Sequence, residues 1–286
     1  MWWDARVDEV RQARRGQIGG ASARSLLLTV LGEFVLPAGA ATWTAALVDA
    51  LAEVGVEQKA ARQALARTSA EGLLSAERHG RRTCWSLTEA GTRLLREGTQ
   101  RIYGFDQVQH RWDGRWLVVA VSVPEAQRKQ RHRLRTRLTW AGLGSLLPGV
   151  WVTPDVSREA EVLRVVKGLS LEAFSWIGPA GAIGDEQLIV SSSWGLEQIA
   201  ARYRAFLVAV GDELVRGPAD AFPAQTRLVQ EWRRFPFLDP ALPLELLPSH
   251  WPGRAAAEVF RTSHDRWHQD AQSHWASLCA AAAVRA

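Results

Sequence analysis

Residues 42–88 read TWTAALVDALAEVGVEQKAARQALARTSAEGLLSAERHGRRTCWSLT, a pattern that predicts a helix, a turn, a basic helix and a short hairpin with an arginine-rich tip. Thr42 or Thr44 can cap the first helix, because a threonine hydroxyl accepts from the free N–H groups of an opening turn. Leu47, Leu51 and Val54 recur at helical spacing, and Gly55 breaks the run. The second helix is predicted from Glu57 to Arg67. Ala61, Ala64, Leu65 and Thr68 face inward there, while Lys59, Arg62, Gln63 and Arg67 stay outside. Leu73 and Leu74 open the hairpin, His79-Gly80-Arg81-Arg82 turns it, and Cys84-Trp85-Ser86-Leu87 returns. This order of elements suits a winged helix-turn-helix on DNA.

On either side the pattern extends to the rest of the chain. Leu26, Leu27, Val30, Leu31, Phe34 and Val35 give one apolar helical face, predicted to end before Pro37. Thr88 starts a further helix through Leu94 and Leu95. Residues 2–15 read as a short charged helix and residues 16–20 as a glycine-rich joint. Trp116 to Val123 is a nearly continuous apolar run stopped by Pro124, as in a central strand. A basic helix (residues 125–141), a hairpin (145–152), a helix (158–169) and a strand (171–177) follow, giving the order βαββαβ of a ferredoxin-like domain. From Trp194 onward the pattern is helical, with a proline-rich crossing from Pro236 to Pro252 before a last helix through Leu278. The expected fold class is α+β: an N-terminal extension (1–21), a winged-helix domain (22–101), a ferredoxin-like domain (102–192) and a helical C-terminal domain (193–286).

Composition bounds the possibilities without deciding among them. A chain of 286 residues with 47% hydrophobic content and a mean hydropathy of −0.13 can bury the cores of two or three soluble domains. The net charge of +5 favours a polyanionic partner, but lysine occurs only at 59, 129 and 167, so an arginine-rich genome explains it equally well. Asp4, Arg6, Asp8 and Glu9 precede any apolar run, which argues against a secretory signal, and no segment approaches the roughly 20 apolar residues of a membrane span. A cytoplasmic protein with no membrane partner is expected. Cys84 and Cys279 form no CxxC pair, so a disulfide framework and a cysteine zinc site are not indicated.

Each candidate site has a plainer alternative. On the helix at 57–67, Arg62 and Gln63 offer forked donors to base edges while Lys59 and Arg67 lie nearer phosphates. A charged face alone is usually just solvated. The following hairpin, with Arg78, Arg81 and Arg82, shifts the balance toward DNA, with Thr42 and Thr44 at the edge of the same surface. Arg128, Arg131, Arg135 and their basic neighbours form a second cluster, suited to a phosphate-bearing ligand or the DNA backbone. His264 and His268, four apart, share a helical face, a spacing that metal sites use; no third ligand is identifiable, so a structural pair and no metal are expected. No GxSxG elbow, Walker loop or dinucleotide fingerprint is present, and neither an enzyme nor a cofactor is expected. Most of the 14 tryptophans, Trp116, Trp151 and Trp176 among them, sit at core spacing.

Two stretches carry a family resemblance. Leu47-Val48-Asp49-Ala50-Leu51, Ala61-Arg62-Gln63-Ala64-Leu65, Glu71-Gly72-Leu73-Leu74, Gly80-Arg81-Arg82 and Leu87-Thr88-Glu89-Ala90-Gly91 resemble the N-terminal domain of PaaX-type repressors of phenylacetic acid catabolism. Trp232-Arg233-Arg234-Phe235-Pro236-Phe237-Leu238-Asp239-Pro240, with Trp251-Pro252-Gly253, resembles that family's C-terminal signature. The resemblance implies a homodimeric regulator of a catabolic operon, usually a repressor, released from double-stranded operator DNA by an aryl-acetyl-CoA or other acyl-CoA effector. Arg128, Arg131 and Arg135, with Trp232, Arg233, Arg234, Phe235 and Phe237, are its candidate effector contacts; the second group serves equally well as a packed corner between helices. The middle domain is similar to the small ferredoxin-like nucleases of CRISPR systems, which place a metal-binding aspartate at the end of the first strand. Here that position reads Ala120-Val121-Ser122-Val123-Pro124, without a carboxylate, which counts against the rival reading of a nucleic-acid hydrolase. An acyl-CoA hydrolase is the other enzymatic alternative.

Overall fold

A computed structural model describes residues 21–105, 111–124, 126–216 and 220–285. The expectations for residues 1–20 lie outside it. The chain is α+β, with two antiparallel sheets and two compact units, each assembled from separate stretches of sequence. Among the described residues no helix is long and apolar enough to cross a membrane.

The helical unit starts at α1 (Ala23–Val30), capped by the Ser22 hydroxyl, which accepts from the Ser25 N–H. The helix does not end before Pro37 as its sequence suggests. It passes through a π-helical turn (Leu31–Val35) and a last α turn (Leu36–Ala38), and Gly39 closes it in the left-handed region at φ 62°. Proline 37 has no N–H to donate to the Glu33 carbonyl, and the Leu36 N–H reaches back to the Leu31 carbonyl instead. The Glu33 carbonyl is then satisfied from outside the helix, by the Gln272 side chain at 3.0 Å.

A two-residue strand β1 (Thr42–Trp43), α2 (Thr44–Glu53), α3 (Gln58–Ala70), the hairpin β2 (Leu74–His79) and β3 (Arg82–Leu87), and α4 (Glu89–Gly104) follow. Neither Thr42 nor Thr44 caps α2. Trp43 holds the capping position, where its indole offers no acceptor, and the Thr44 hydroxyl, one residue inside the helix, donates to the Thr83 carbonyl at 3.0 Å. The sheet runs β1-β3-β2, and Gly80, at φ 63°, takes the first place of the two-residue turn between β2 and β3.

Leu27, Val30, Leu31 and Phe34 of α1, Leu47 and Leu51 of α2, and Ala61 and Leu65 of α3 are almost fully buried in one core. Phe222, Ala271, Trp275 and Ala282, from helices late in the chain, belong to that core as well. Those helices are α9 (Ala221–Trp232), which follows α7 (Glu186–Ser193) and α8 (Leu196–Arg216), and α11 (Gly253–Val284), which follows the short α10 (Phe235–Leu238).

The sheet unit contains β4 (Trp116–Val121), α5 (Arg128–Trp140), β5 (Gly144–Leu147), β6 (Val150–Thr153), α6 (Glu159–Gly168) and β7 (Ala173–Gly178). Its strands are ordered β5-β6-β4-β7 and every neighbouring pair is antiparallel. Leu117, Val119 and Val121 alternate onto the face covered by Leu134 and Leu138 of α5 and Val162 and Val166 of α6. Trp151, opposite Val119, joins that core. Trp176 does not, contrary to expectation. Its register partner is Val118, so it shares the other face with Phe174 and stays 59% exposed.

One close approach fixes how α4 leaves the hairpin. A Cβ on Gly91 would stand 2.1 Å from the Leu73 carbonyl oxygen, which also accepts from the Thr88 N–H. Gly91→Ala is therefore expected to lower stability by about 1–3 kcal/mol through a forced backbone shift. Urea titration should show a lower midpoint at an unchanged slope, and an unchanged midpoint would show that this approach relaxes freely.

Candidate nucleic-acid interface

Helix α3 buries one narrow face and leaves the rest in water. Ala61, Ala64, Leu65 and Thr68 are the buried residues, as their spacing predicts, and the Thr68 hydroxyl donates to the Ala64 carbonyl at 2.8 Å. Three of these four side chains are small, which lets α3 lie close on α1 and α2. Lys59, Arg62, Gln63 and Arg67 are all exposed.

The hairpin stands next in the chain. Its first strand buries only Leu74, so Arg78 is solvent-facing, and Arg81 is exposed at the turn. Among the described residues, Lys59, Arg62, Arg67, Arg78 and Arg81 have no carboxylate within ion-pair distance, and their charge is available to a polyanion.

Three other predicted residues turn toward the protein. Thr42 is buried. Thr44 accepts from the Trp85 indole at 2.8 Å while donating to Thr83, so its hydroxyl is spent holding β3 to the start of α2. Arg82 lies over the Trp43 ring at 3.9 Å and donates to the Ala282 and Ala283 carbonyls in the last turn of α11. Those carbonyls have no helical partner and carry the negative end of the helix dipole, so a guanidinium there is doubly favoured.

The candidate effector contacts divide between the units. In the sheet unit, α5 exposes Arg128, Arg131 and Arg135 on one side and buries Leu134 and Leu138; Phe237 meets the Trp140 ring edge-on at 5.2 Å. In the helical unit, Trp232 stacks on Phe260 at 4.7 Å with ring planes 12° apart, and Phe235 packs beside it at 5.3 Å. The Trp232 indole donates to the Ile102 carbonyl at 3.2 Å. Arg233 donates to the Ser25 carbonyl and the Thr29 hydroxyl of α1, at 3.2 and 3.0 Å, and Arg234 pairs with Glu231 at 3.1 Å. The segment is thus a packed corner in which Trp232, Arg233 and Phe235 each hold neighbouring helices.

The sequence pairs His264 with His268 but misses the polar cluster that they join, with Glu33, Tyr103 and Gln225. Glu33, the one acid in the apolar face of α1, is buried and lies 2.6 Å from His264 Nε2. Burial works to raise its pKa, but the hydrogen bond and charge of His264, with further bonds from Tyr103 and Gln225, hold it below the usual carboxylate range. Burial, and then the charge of Glu33, push the Tyr103 phenol upward, so it stays protonated and donates to Glu33 at 2.5 Å. The available signal was an acid where the helical period calls for an apolar side chain.

Comparison with known proteins finds matches over most of the chain. Three family models match in turn: PaaX-like protein over residues 22–91, the PaaX protein central Cas2-like domain over 109–183, and the PaaX-like protein C-terminal domain over 194–277. The transcriptional repressor PaaX of Escherichia coli is 29% identical over 252 residues, covering 83% of this chain and 78% of its own length. An uncharacterized protein of Mycobacterium tuberculosis has a similar fold, with a TM-score of 0.58 at 22% identity over 92% of this chain and 99% of that one.

The corner at Trp232 yields a direct test. Trp232→Ala is expected to cost about 3–5 kcal/mol, as for other large buried side chains, and the exposed-pair variant Arg234→Ala no more than about 0.5 kcal/mol. Denaturant midpoints measure both, and equal values would remove Trp232 from the core.

Proposed function

The chain belongs to the PaaX family, and from that premise we propose that it is a transcriptional repressor that reads operator DNA with α3 and its hairpin. The observation that carries this reading is the division of α3 into a closely packed inner face and an uncompensated basic outer face beside the exposed Arg78 and Arg81. In this reading residues 22–101 act as a winged helix-turn-helix, residues 102–192 as a ferredoxin-like domain and residues 193–286 as a helical domain, and the protein works in the cytoplasm without catalysing a reaction. Arg62 and Gln63 contact base edges in the major groove, the geometry in which an arginine or glutamine fork distinguishes guanine or adenine. Lys59, Arg67, Arg78 and Arg81 contact phosphates. Arg82 acts indirectly, by fixing the hairpin to the end of α11. Two copies related by a twofold axis place two α3 helices in successive major grooves of a palindromic site.

Release requires a ligand that binds the DNA-incompetent state more tightly than the competent one. An aryl-acetyl-CoA or similar acyl-CoA thioester is the proposed effector. The exposed arginines of α5 are its proposed phosphate contacts, which leaves the corner at Trp232 to structural work.

Fluorescence anisotropy on a palindrome selected from random duplex DNA tests the reading. Arg62→Ala should cost about 1–3 kcal/mol on that site and relax its sequence preference. The Arg78→Ala/Arg81→Ala double variant should weaken all duplexes alike and reduce the slope of log affinity against log salt by about two. Phenylacetyl-CoA should loosen the wild-type complex and free CoA should do so far less. Unchanged affinity and salt slope in both variants would remove α3 and the hairpin from the interface, and indifference to the thioester would remove that effector.

A further inference from the structure

The cluster around Glu33 has the composition of a metal site. His264 and His268 are one helical turn apart on α11; His264 Nε2 meets Glu33 on the π-helical turn of α1, and a ring nitrogen of His268 lies in the same group. The three ligating atoms lie within 4.8 Å of one another. The Gln225 amide of α9 reaches into the same space, its Nε2 standing 2.8 Å from Glu33 Oε1, 3.3 Å from His264 Nε2 and 3.4 Å from His268 Nδ1. Gln225 is fully buried, and its Oε1 has no hydrogen-bond partner among the described residues. A buried, unpartnered carbonyl oxygen costs about 1–3 kcal/mol, and a flip of the amide would bring this oxygen to the cluster, where a cation satisfies it.

We propose that Glu33, His264, His268 and the Gln225 carbonyl bind one divalent transition-metal ion, zinc being the natural occupant. A half-turn of the Gln225 amide puts Oε1 where Nε2 stands, among the three other donors. The ion replaces the hydrogen bond between Glu33 and His264. It takes the lone pairs of two neutral imidazoles, one carboxylate oxygen and one amide oxygen. Zinc bonds of about 2.0–2.2 Å place tetrahedral donors roughly 3.3–3.6 Å apart, which side-chain rotation reaches from the present spacing. Two imidazoles select zinc, cobalt, nickel or copper over magnesium or calcium.

Charge and supporting contacts agree with this assignment. Glu33 is a buried carboxylate whose ion-pair partner is His264, with no lysine or arginine paired to it among the described residues, and a divalent ion held by both takes over that pairing. The Tyr103 hydroxyl bonds the other carboxylate oxygen and fixes its direction, the arrangement that orients ligands in metal sites. His268 is exposed, which gives the ion a way in. The bound ion ties α1, α9 and α11 together inside the helical unit, independently of what that unit binds.

The test uses the untagged full chain, stripped with a chelator and titrated with zinc chloride in a calorimeter, then with cobalt chloride for its visible absorption. One ion per chain, a cobalt spectrum of tetrahedral intensity and a zinc-dependent rise in melting temperature are expected. His268→Ala alters an exposed residue and should melt with the metal-free wild type, yet bind zinc at least about 100-fold more weakly; Tyr103→Phe should lose about 10-fold. Absence of binding to the wild type would overturn the proposal. So would stoichiometric binding of undiminished affinity in the His264→Ala/His268→Ala double variant, which would place the ion elsewhere.

Discussion

The core beneath the proposed DNA-reading helix closes only when side chains from the far end of the chain enter it. Phe34 of α1 meets Phe222 at 4.6 Å and Trp275 at 6.0 Å, and Phe222 and Trp275 stack on each other with ring planes 10° apart. Buried polar bonds register the contact: the Thr29 hydroxyl donates to Gln230 at 2.6 Å, and the Gln230 amide donates to the Ser25 hydroxyl at 2.7 Å. Each fully buried aromatic side chain contributes on the order of 2–3 kcal/mol by removal of apolar surface from water. An N-terminal segment deprived of α9 and α11 would expose Leu27, Leu31 and Phe34. The reading surface is therefore a property of the full chain, although every residue proposed to touch DNA lies before residue 90.

The same architecture connects the hairpin to the last helix. Arg82, at the start of β3, spends its guanidinium on the carbonyls that end α11 and on the Trp43 ring. A shift of α11 would reach the hairpin through Arg82 and through β1, which pairs with β3, and the proposed metal cluster holds another turn of the same helix. In the proposed mechanism, a ligand that favours one arrangement of α11 over another would bias the proposed DNA-binding surface without touching it.

What the sequence revealed, and what it hid, follows from the range of the interactions involved. The inner face of α3, the hairpin turn at Gly80 and the order βαββαβ are local patterns of period 3.6 or 2, and each is found where that pattern places it. Strand β1 has two residues, too few to show any period. Pro37 ordinarily marks the end of a helix; here a widened turn and the distant Gln272 absorb its missing N–H. Alternation groups Trp176 with Phe174 but does not tell which face the helices will cover. The Glu33 cluster joins residues up to 235 positions apart and Arg82 meets α11 across 200, and no single-sequence pattern reports such pairs.

The central claim is that α3 enters the major groove. Its most direct test is disulfide trapping of a Gln63→Cys variant with a selected duplex that carries a thiol-tethered base at each position in turn. Cys84 is buried and Cys279 half-buried, so the wild-type chain serves as the blank. The account predicts trapping at one or two base positions in each half-site, displayed in the major groove, and none with the wild-type chain. Tight binding of the duplex without trapping at any position would contradict it.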